Sequence, residues 1–315
     1  MTDEATRPVL EARGIVKTFG QHRALDNVDF AANAGEVHAL LGENGAGKST
    51  LIKILTGAYH PDAGELLLDG QPIHLRDPLH GQGYGIGTVY QEVNLLPNRP
   101  VSENLFLGRQ PARFGLVDRR KMDAQARELL TRYGLHIDVR AELSEYSVAV
   151  QQIVAIARAV ELSGKVLVLD EPTASLDRNE VQRLFEVVRG LKAKGLAIIF
   201  ITHFLDQVFD LADRVTILRN GRKVATQRLD TLNTTDVVRM MLGKDVAFEH
   251  HPTALAGSTR GQVRVAFKGL NRKGLAPIDL AVHEGEVVGV AGGEHVLEVG
   301  GGAVVVVGGA LTESV

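Results

Sequence analysis

One stretch near the N-terminus constrains the fold of this chain more than any other. Residues 37–41, VHALL, form a short apolar run typical of a buried strand. They lead directly into residues 42–49, GENGAGKS, which match the pattern GxxxxGK[ST]. Residues 49–57, STLIKILTG, then favour a helix that ends at Gly57. A strand, a glycine-rich loop and a helix in this order predict a phosphate-binding loop, with an ordinary glycine-rich turn as the alternative.

Each position of this loop has a chemical reason. Its glycines permit backbone angles that turn successive N–H groups toward a phosphate chain, and the helix N-terminus adds partial positive charge. Lys48 is expected to reach the β- and γ-phosphates, and the Ser49 hydroxyl to bind Mg²⁺. The predicted nucleotide contacts in the loop and the first helical turn are Gly42, Asn44, Gly45, Gly47, Lys48, Ser49 and Thr50.

Two acids follow a second apolar run. Residues 166–169, VLVL, predict a buried parallel strand, and open α/β sheets bind ligands at the carboxyl ends of such strands. Asp170 is expected to bind Mg²⁺ directly or through water, and Glu171 to polarise the attacking water as general base. Pro172 cannot continue a sheet ladder, so the chain is expected to leave the sheet there.

Two further polar residues end short apolar strands. His203 follows AIIFIT at 197–202, and Gln91 follows IGTVY at 86–90. A lone histidine after a strand is more often structural, but beside Glu171 it could contact the γ-phosphate. Gln91 could contact both Mg²⁺ and the water that attacks, although taken alone it looks like a surface glutamine.

Composition excludes several classes of protein. The 315 residues hold 35 Lys and Arg against 38 Asp and Glu, a net charge of −3, so the basic excess of duplex nucleic-acid binders is missing. There is no cysteine, which excludes disulfides, thiolate metal sites and Fe–S clusters. The charged N-terminus is unlike a secretion signal, and no apolar run approaches the roughly 20 residues that span a bilayer. We therefore expect any work at a membrane to occur from its cytoplasmic side.

The motifs together resemble the ATP-binding subunits of ABC transporters over about residues 8–245. They are GENGAGKST, VYQE at 89–92, LVLDEPTASLD and ITH, in that order and spacing. The resemblance implies an α/β P-loop NTPase core with an antiparallel β subdomain and an α-helical subdomain, and ATP with Mg²⁺ as ligands. It also makes Gln91 the Q-loop glutamine, His203 the switch histidine, and Phe19 the aromatic that stacks on adenine. From the sequence alone Phe19 looks more like a core residue.

The resemblance narrows to the tandem ATPases of monosaccharide importers, the ribose, galactose and xylose group. Stretches such as VYQEVNLLPN, FGLVDRR and SVAVQQIVAIARA look most like the ATPases of galactofuranose importers. This implies ATP hydrolysis that energises sugar import at the cytoplasmic face of a bacterial inner membrane. The implied partners are membrane-embedded permease subunits, indirectly a periplasmic sugar-binding protein, and a second ATPase domain; no nucleic acid is expected.

One motif departs from that family. Its LSGGQ signature aligns with Tyr146–Val150, where Ser147 is kept as an ATP contact but Val148 and Ala149 replace both glycines. Their side chains would hinder the approach of this backbone to the γ-phosphate held by an opposite domain. We therefore expect poor hydrolysis at the site that uses this signature. The following helix has apolar residues spaced to bury one face: Val150, Val154, Ala157 and Val160.

Turn and capping signals outline the subdomains. Asp69-Gly70 and Asn220-Gly221 predict hairpin turns, and Asp118 and Gly134 predict the ends of one helix. The helical subdomain is expected at about 96–160. Four apolar residues are candidates to line a groove for the permease: Leu95, Leu96, Leu105 and Phe106. They could equally be ordinary core residues.

After a polar linker at 246–262 the chain repeats its opening. Val28-Asp29-Phe30 recurs as Ile278-Asp279-Leu280, and Gly35-Glu36-Val37 as Gly285-Glu286-Val287. The positions that match Lys48 and Ser49 are Glu298 and Val299, which cannot form a phosphate loop. We expect 263–315 to be the truncated start of a second ATPase domain, an incomplete second repeat with an aberrant tail from about 293. A frameshift and a natural truncation both remain open.

Two other functions compete with sugar import. One is a soluble ABC ATPase of DNA repair or of the ribosome. The repair type usually carries zinc-binding cysteines and the ribosomal type a long charged linker between two full domains, neither of which is present. The other is an inactive or binding-only product, because hydrolysis needs two facing domains. We expect the isolated chain to bind ATP and to hydrolyse it weakly or not at all.

Overall fold

The strands and helices fall into two units. The computed structural model describes residues 8–90, 95–243, 262–270 and 277–284, and the backbone of 296–299 and 303–306. The units are Met1–Val246 and Ala247–Val315.

The first unit contains both strands and helices, and several of its strands follow one another in pairs. In chain order its first half contains β1 (Leu10–Phe19), β2 (His22–Ala32), β3 (Val37–Leu41), α1 (Lys48–Leu55), β4 (Ala63–Leu68), β5 (Gln71–Ile73), α2 (Pro78–Gly83), β6 (Ile86–Val89), α3 (Val101–Leu105), β7 (Ala112–Arg113), β8 (Leu116–Val117) and α4 (Arg119–Thr131). Its second half contains α5 (Val148–Leu162), β9 (Val166–Asp170), α6 (Arg178–Ala193), β10 (Ala197–Ile201), α7 (Leu205–Leu211), β11 (Arg214–Arg219), β12 (Arg222–Arg228) and α8 (Thr234–Leu242).

The apolar strands predicted around the phosphate loop form the centre of a six-stranded sheet. Its order is β12-β11-β3-β10-β9-β6, and only β12 runs antiparallel to its neighbour. Both faces are covered, because Ile199 packs into one hydrophobic cluster while Ile198 and Phe200 pack into another. The carboxyl ends of β3, β9 and β10 therefore meet at one edge, where the predicted catalytic residues follow.

A second, antiparallel sheet has the order β2-β1-β4-β5. The predicted turn between β4 and β5 is confirmed, with Asp69 at φ 51° and Gly70 at φ 78°. The turn between β11 and β12 has the same form, with Asn220 at φ 49° and Gly221 at φ 74°. Two successive left-handed residues match the twist of the flanking strands, which is why Asp-Gly and Asn-Gly occupy these turns.

Helices α3, α4 and α5 share a third hydrophobic cluster. Asp118 caps α4 by accepting the backbone N–H of Lys121, and the helix ends at Thr131, slightly before the predicted stop at Gly134. Leu105 is buried in this cluster as an ordinary core residue, whereas Leu96 is exposed. Within the described part of the chain, no helix combines the length and apolar character needed to cross a bilayer.

Helix α5 is buried on two sides, where the spacing of its apolar residues predicted one. Val154 and Ala157 pack into the helical cluster, as the pattern suggested. Ile153 and Ile156 pack on the opposite side, into the cluster under the central sheet. The prediction was incomplete because a helix that lies between two cores needs apolar residues around most of its circumference.

The second unit contains two hairpins, β13 (Val263–Leu270) with β14 (Ile278–His283), and β15 (Val296–Val299) with β16 (Ala303–Val306). The hairpin β13–β14 repeats the pairing of β1–β2, including an irregularity at the same place. The pairs that flank it are Ala12–Phe30 and Ile15–Val28 in the first hairpin, and Phe267–Leu280 and Leu270–Ile278 in the second.

A glycine and an aspartate mark this irregularity in both hairpins. Gly14 has φ 59° and donates its N–H to Asp29 Oδ1 at 2.8 Å. Gly269 has φ 62° and donates its N–H to Asp279 Oδ1 at 2.6 Å. A left-handed residue at a bulge favours glycine, and the aspartate satisfies the N–H that leaves the ladder. The two hairpins are thus the same local structure built from different sequences.

Candidate functional site

The glycines of the phosphate loop are required by space as well as by backbone angle. Gly42 has φ 153° and Gly47 φ 104°. A Cβ on Gly42 would lie 2.3 Å from the Leu218 carbonyl oxygen, and one on Gly47 would lie 2.7 Å from the Ala24 carbonyl oxygen. A Cβ on Gly45, at φ 80°, would meet no atom of the described residues within 4 Å, so the backbone angle alone requires glycine there. The loop packs against neighbouring backbone and keeps its open side free for a ligand.

Lys48 is the first residue of α1 and lies over this loop. Its Nζ donates to the Gly42 carbonyl oxygen at 2.8 Å and to the Glu43 carbonyl oxygen at 3.0 Å. Burial lowers the pKa of Lys48, while the charges of Glu171 and Asp170 act in the opposite direction. The ammonium is therefore bonded to the loop and is stabilised by the charges of the two acids.

The other loop residues form an accessible rim. Asn44, Gly45 and Ser49 are exposed, and Thr50 is half-buried in the first turn of α1. Their accessible polar groups, together with the N-terminal N–H groups of this eight-residue helix, make an anion site of the kind that holds nucleotide phosphates.

Asp170 ends β9 and has the electrostatic setting of a cation ligand. Burial raises its pKa most, the charge of Glu171 raises it further, and Lys48 and Lys53 act to lower it. A bound cation would favour the ionised form of such a carboxylate. The Asp170 carboxylate and the Ser49 hydroxyl are hard oxygen donors, which fit Mg²⁺ supported by phosphate and water.

Glu171 and His203 come together at the ends of neighbouring strands. Ile201 of β10 pairs with Asp170 of β9, so the residues that follow them are adjacent. His203 Nδ1 lies 3.4 Å from Glu171 Oε1, and both side chains reach solvent. Glu171 has φ 47°, a left-handed conformation that is uncommon outside glycine. Strained backbone of this kind concentrates at functional sites.

Phe19 lies on the surface, contrary to its appearance in the sequence as a core residue. Its side chain is 43% exposed, and it meets Tyr59 edge to face at a centroid distance of 5.4 Å. Lys17 Nζ lies 5.7 Å from the Phe19 ring centroid, and Lys53 Nζ lies 5.1 Å from that of Tyr59. Sequence reasoning missed Tyr59; its position two residues after Gly57, the glycine that follows α1, is the signal that could have found it.

The signature region separates into an exposed and a buried part. Ser147 is the exposed N-cap of α5, and its side chain makes no capping hydrogen bond there. Val148 is 44% exposed, whereas Ala149 is 4% exposed and packs inward. Of the two side chains that the sequence places in the signature instead of glycine, only that of Val148 therefore reaches the surface. Gln91, predicted to contact Mg²⁺ and water, lies outside the described residues.

A groove of about 330 Å³ lies between α2, β6 and α5. Of the four residues predicted to line a groove for a permease, Leu95 lines this one. Its lining is Thr56, Pro78, Gln82, Ile86, Thr88, Val89, Tyr90, Leu95, Ala155, Arg158, Ala159 and Leu162.

Comparison with known proteins gives consistent matches. The family model described as ABC transporter matches residues 25–174. The galactofuranose transporter ATP-binding protein of Escherichia coli is 52% identical over 295 residues, which cover 93% of this chain and 59% of that protein. A ribose import ATP-binding protein of Rubrobacter xylanophilus is 50% identical over 91% of this chain and 57% of its own length. The chain thus spans less than two thirds of the curated relatives it matches.

Solved structures match about three quarters of this chain. An ATP-binding cassette of an ABC transporter in its ADP conformation has a TM-score of 0.67 and 30% identity. The match covers 76% of this chain and 100% of that cassette. A nucleotide-free cassette has a TM-score of 0.65 and 28% identity, over 76% of this chain and 96% of the other.

Proposed function

The chain belongs to the ATP-binding cassette family of ABC transporters, and on that premise we propose that residues 8–245 bind ATP with Mg²⁺ and carry the residues for its hydrolysis. One observation supports this most. One edge of the central sheet carries the loop with Lys48, the acids Asp170 and Glu171, and His203. At this edge Nδ1 of His203 lies 3.4 Å from Oε1 of Glu171.

Each residue has a role in this proposal. Lys48 and the loop N–H groups bind the phosphates, and Phe19 supports the adenine from its exposed position. Ser49, Asp170 and Gln91 hold Mg²⁺, which neutralises charge on the phosphates when bound. Glu171 takes the proton of the attacking water, and His203 contacts the γ-phosphate. The remaining predicted nucleotide contacts are Gly42, Asn44, Gly45, Gly47, Thr50 and, toward an opposite domain, Ser147.

The names of the relatives support a role in monosaccharide import. Two relatives that are 52% and 50% identical to this chain are called galactofuranose transporter and ribose import ATP-binding proteins. We propose the same class of substrate, with galactofuranose as one candidate, and a peripheral location at the cytoplasmic face of the inner membrane. A membrane permease would be the direct partner, docking through a helix in the groove between α2, β6 and α5, and a periplasmic binding protein the indirect one.

The domain proposal is a complete cassette at 8–245, a linker at 246–262 and the opening of a second cassette at 263–315. The repeated hairpin supports it, because β13–β14 has the register and the glycine–aspartate contact of β1–β2. The second cassette would supply the facing surface that composite ATP sites need. With Val148 projecting from the signature, the isolated chain should hydrolyse ATP weakly or not at all.

The test is nucleotide binding and turnover by the purified chain. We expect saturable binding of Mg²⁺–ATP in calorimetry, with little hydrolysis. Glu171→Gln should keep the affinity within about twofold, because the base acts in the transition state rather than in the bound ground state. Glu186→Gln, on the exposed face of α6, is the matched control.

Two results would contradict parts of this proposal. Absence of Mg²⁺–ATP binding by a folded chain would overturn the nucleotide site itself. Robust turnover that Glu171→Gln abolishes would overturn the expectation of weak hydrolysis and leave the site intact.

A further inference from the structure

The turn that follows β9 is held in a conformation that it would not adopt alone. Glu171 begins this turn at φ 47°, and its N–H donates to the Ile201 carbonyl oxygen at 2.9 Å. Such an angle is uncommon for a non-glycine residue, and surrounding contacts stabilise it. The N–H bond fixes the side toward β10, and a further contact holds the residues after Glu171.

Gln152 makes that contact. It lies in α5, is 4% exposed, and its Nε2 donates to the Pro172 carbonyl oxygen at 3.2 Å. Its Oε1 is buried with no hydrogen-bond partner among the described residues. A buried amide oxygen without a partner is costly, and an apolar side chain would fill the same space without that cost. The donor half of this amide is therefore the reason for a glutamine here.

A second glutamine holds the opposite side of the turn. Thr173, which is 2% exposed, donates its hydroxyl to Gln207 Oε1 at 2.6 Å. Gln207 lies in α7, the helix that begins just after His203. The turn is thus fixed from α5 and from α7, while its first residue carries the carboxylate that meets His203.

We infer that Gln152 is a positioning residue for Glu171: its hydrogen bond to the Pro172 carbonyl keeps the turn, and with it the Glu171 carboxylate, beside His203. The inference rests on the proposed role of Glu171 as general base. It also has a consequence for the signature. Ser147, the N-cap of helix α5, lies about 7.5 Å along the helix axis from Gln152, so a movement of the signature end would reach the chain's own catalytic carboxylate.

Amide hydrogen exchange of the full chain tests this link. Gln152→Met keeps the size of the side chain and removes the donor. We expect the amides of Ala174 and Leu176, which donate within the turn, to exchange about tenfold faster, as for the loss of one net hydrogen bond. Exchange in β10 should be unchanged. Gln151→Met is the matched control, because Gln151 donates to the Tyr146 carbonyl instead, at 2.9 Å.

Nucleotide measurements separate positioning from a general structural role. With enzyme in excess over Mg²⁺–ATP, Gln152→Met should bind with wild-type affinity but cleave about tenfold more slowly, because its effect falls on the base alone. If the wild-type chain cleaves no ATP, the exchange measurement decides. If the methionine variant does not fold, Gln152→Asn gives the same test, since its shorter amide cannot reach Pro172.

Wild-type exchange at Ala174 and Leu176 in a folded Gln152 variant would overturn the inference. So would equal acceleration by Gln151→Met. Failure of both the wild type and the variants to bind Mg²⁺–ATP would overturn the proposed function, while the exchange result would still report on the contact with Pro172.

Discussion

The hairpins β1–β2 and β13–β14 have the same local structure in different surroundings. Both place a left-handed glycine at a bulge and hold its N–H with an aspartate. Yet Ile15 is fully buried, while Leu270, its counterpart, is 39% exposed. The pairing and the bulge are thus specified by residues within the hairpin. Burial depends on the helices and the central sheet that follow the first hairpin.

The comparison extends to the nucleotide loop. In the first unit the strand after the hairpin leads into Lys48 and Ser49, whereas the matching sequence positions in the second are Glu298 and Val299. An acidic residue in place of the lysine would repel phosphate. The second unit thus repeats the opening hairpin of the first unit without the residues that bind phosphate.

The largest expected effect is a loss of nucleotide affinity at Lys48, which tests the contrast between the two loop sequences. We expect Lys48→Met to weaken Mg²⁺–ATP binding by about 100-fold, because a charge-assisted contact to phosphate is lost from a partly buried site. Calorimetry of the full chain measures it. Lys194→Met, on the surface near Tyr133, is the control. Equal affinity in the two variants would mean that ATP does not use this loop.

The second largest effect is expected on the stability of the first unit in acid. His38 lies in β3, fully buried, with Nε2 2.7 Å from Thr216 Oγ1, and burial is the main cause that lowers its pKa to about 3. The unfolded chain binds this proton near pH 6.5, so stability is lost as pH falls from about 6.5 toward 3. The matching sequence position in the second unit is Val288, which cannot titrate.

Between pH 7 and pH 5, proton uptake by His38 in the unfolded chain should lower the unfolding free energy of the wild type by about 2 kcal/mol. We expect His38→Gln to abolish this loss. Urea denaturation at several pH values measures it. Glu36, whose pKa is raised chiefly by burial, acts in the opposite direction and lies 3.5 Å from His38, so Glu36→Gln in both backgrounds separates the two contributions. Identical pH profiles for the two proteins would contradict a neutral, buried His38.

Gly14 and Gly269, the glycines at the two bulges, allow the same substitution to be compared in both hairpins. Gly14→Ala places a Cβ at φ 59° and 3.3 Å from Asn27 Oδ1, and should lower the unfolding free energy by about 1 kcal/mol. In Gly269→Ala the added Cβ has a similar angle and meets no atom of the described residues within 4 Å, so the main unfolding transition should be unchanged. Urea denaturation of both variants checks this. Similar losses would mean that the second hairpin contributes to the same cooperative unit.

The smallest effect is expected from deleting residues 246–315. The hydrophobic clusters of the described residues and the nucleotide site consist of residues from the first unit. Deletion should therefore change the unfolding free energy by less than about 0.5 kcal/mol, the range of neutral surface changes. ATP affinity and denaturation of the shortened chain measure it. A large loss of either would give the second unit a structural role.

Local signals in the sequence predicted much of the first unit. Strand 37–41, the Asp118 cap and the two Asp-Gly and Asn-Gly turns depend on neighbouring residues, and the structure has them as expected. The proximity of Glu171 and His203 followed from the edge rule for parallel strands.

What the sequence did not predict depends on contacts between distant segments. The second buried side of α5 exists because the sheet covers it. The exposure of Phe19 depends on how far distant segments cover it: Tyr59 meets its ring edge to face, and 43% of the side chain remains exposed. The left-handed angle of Glu171 depends on Gln152 and Gln207, which come from two other helices.

The different burial of Val148 and Ala149 bears on how this signature could change in evolution. Val148 reaches solvent, so a return to glycine there would mainly cost helix propensity, about 0.5 kcal/mol at most relative to valine. Ala149 is part of the packed interior, and glycine there would remove buried contacts and loosen the start of α5. Glycine is thus not equally acceptable at the two positions. We expect Val148→Gly to be tolerated far more readily than Ala149→Gly.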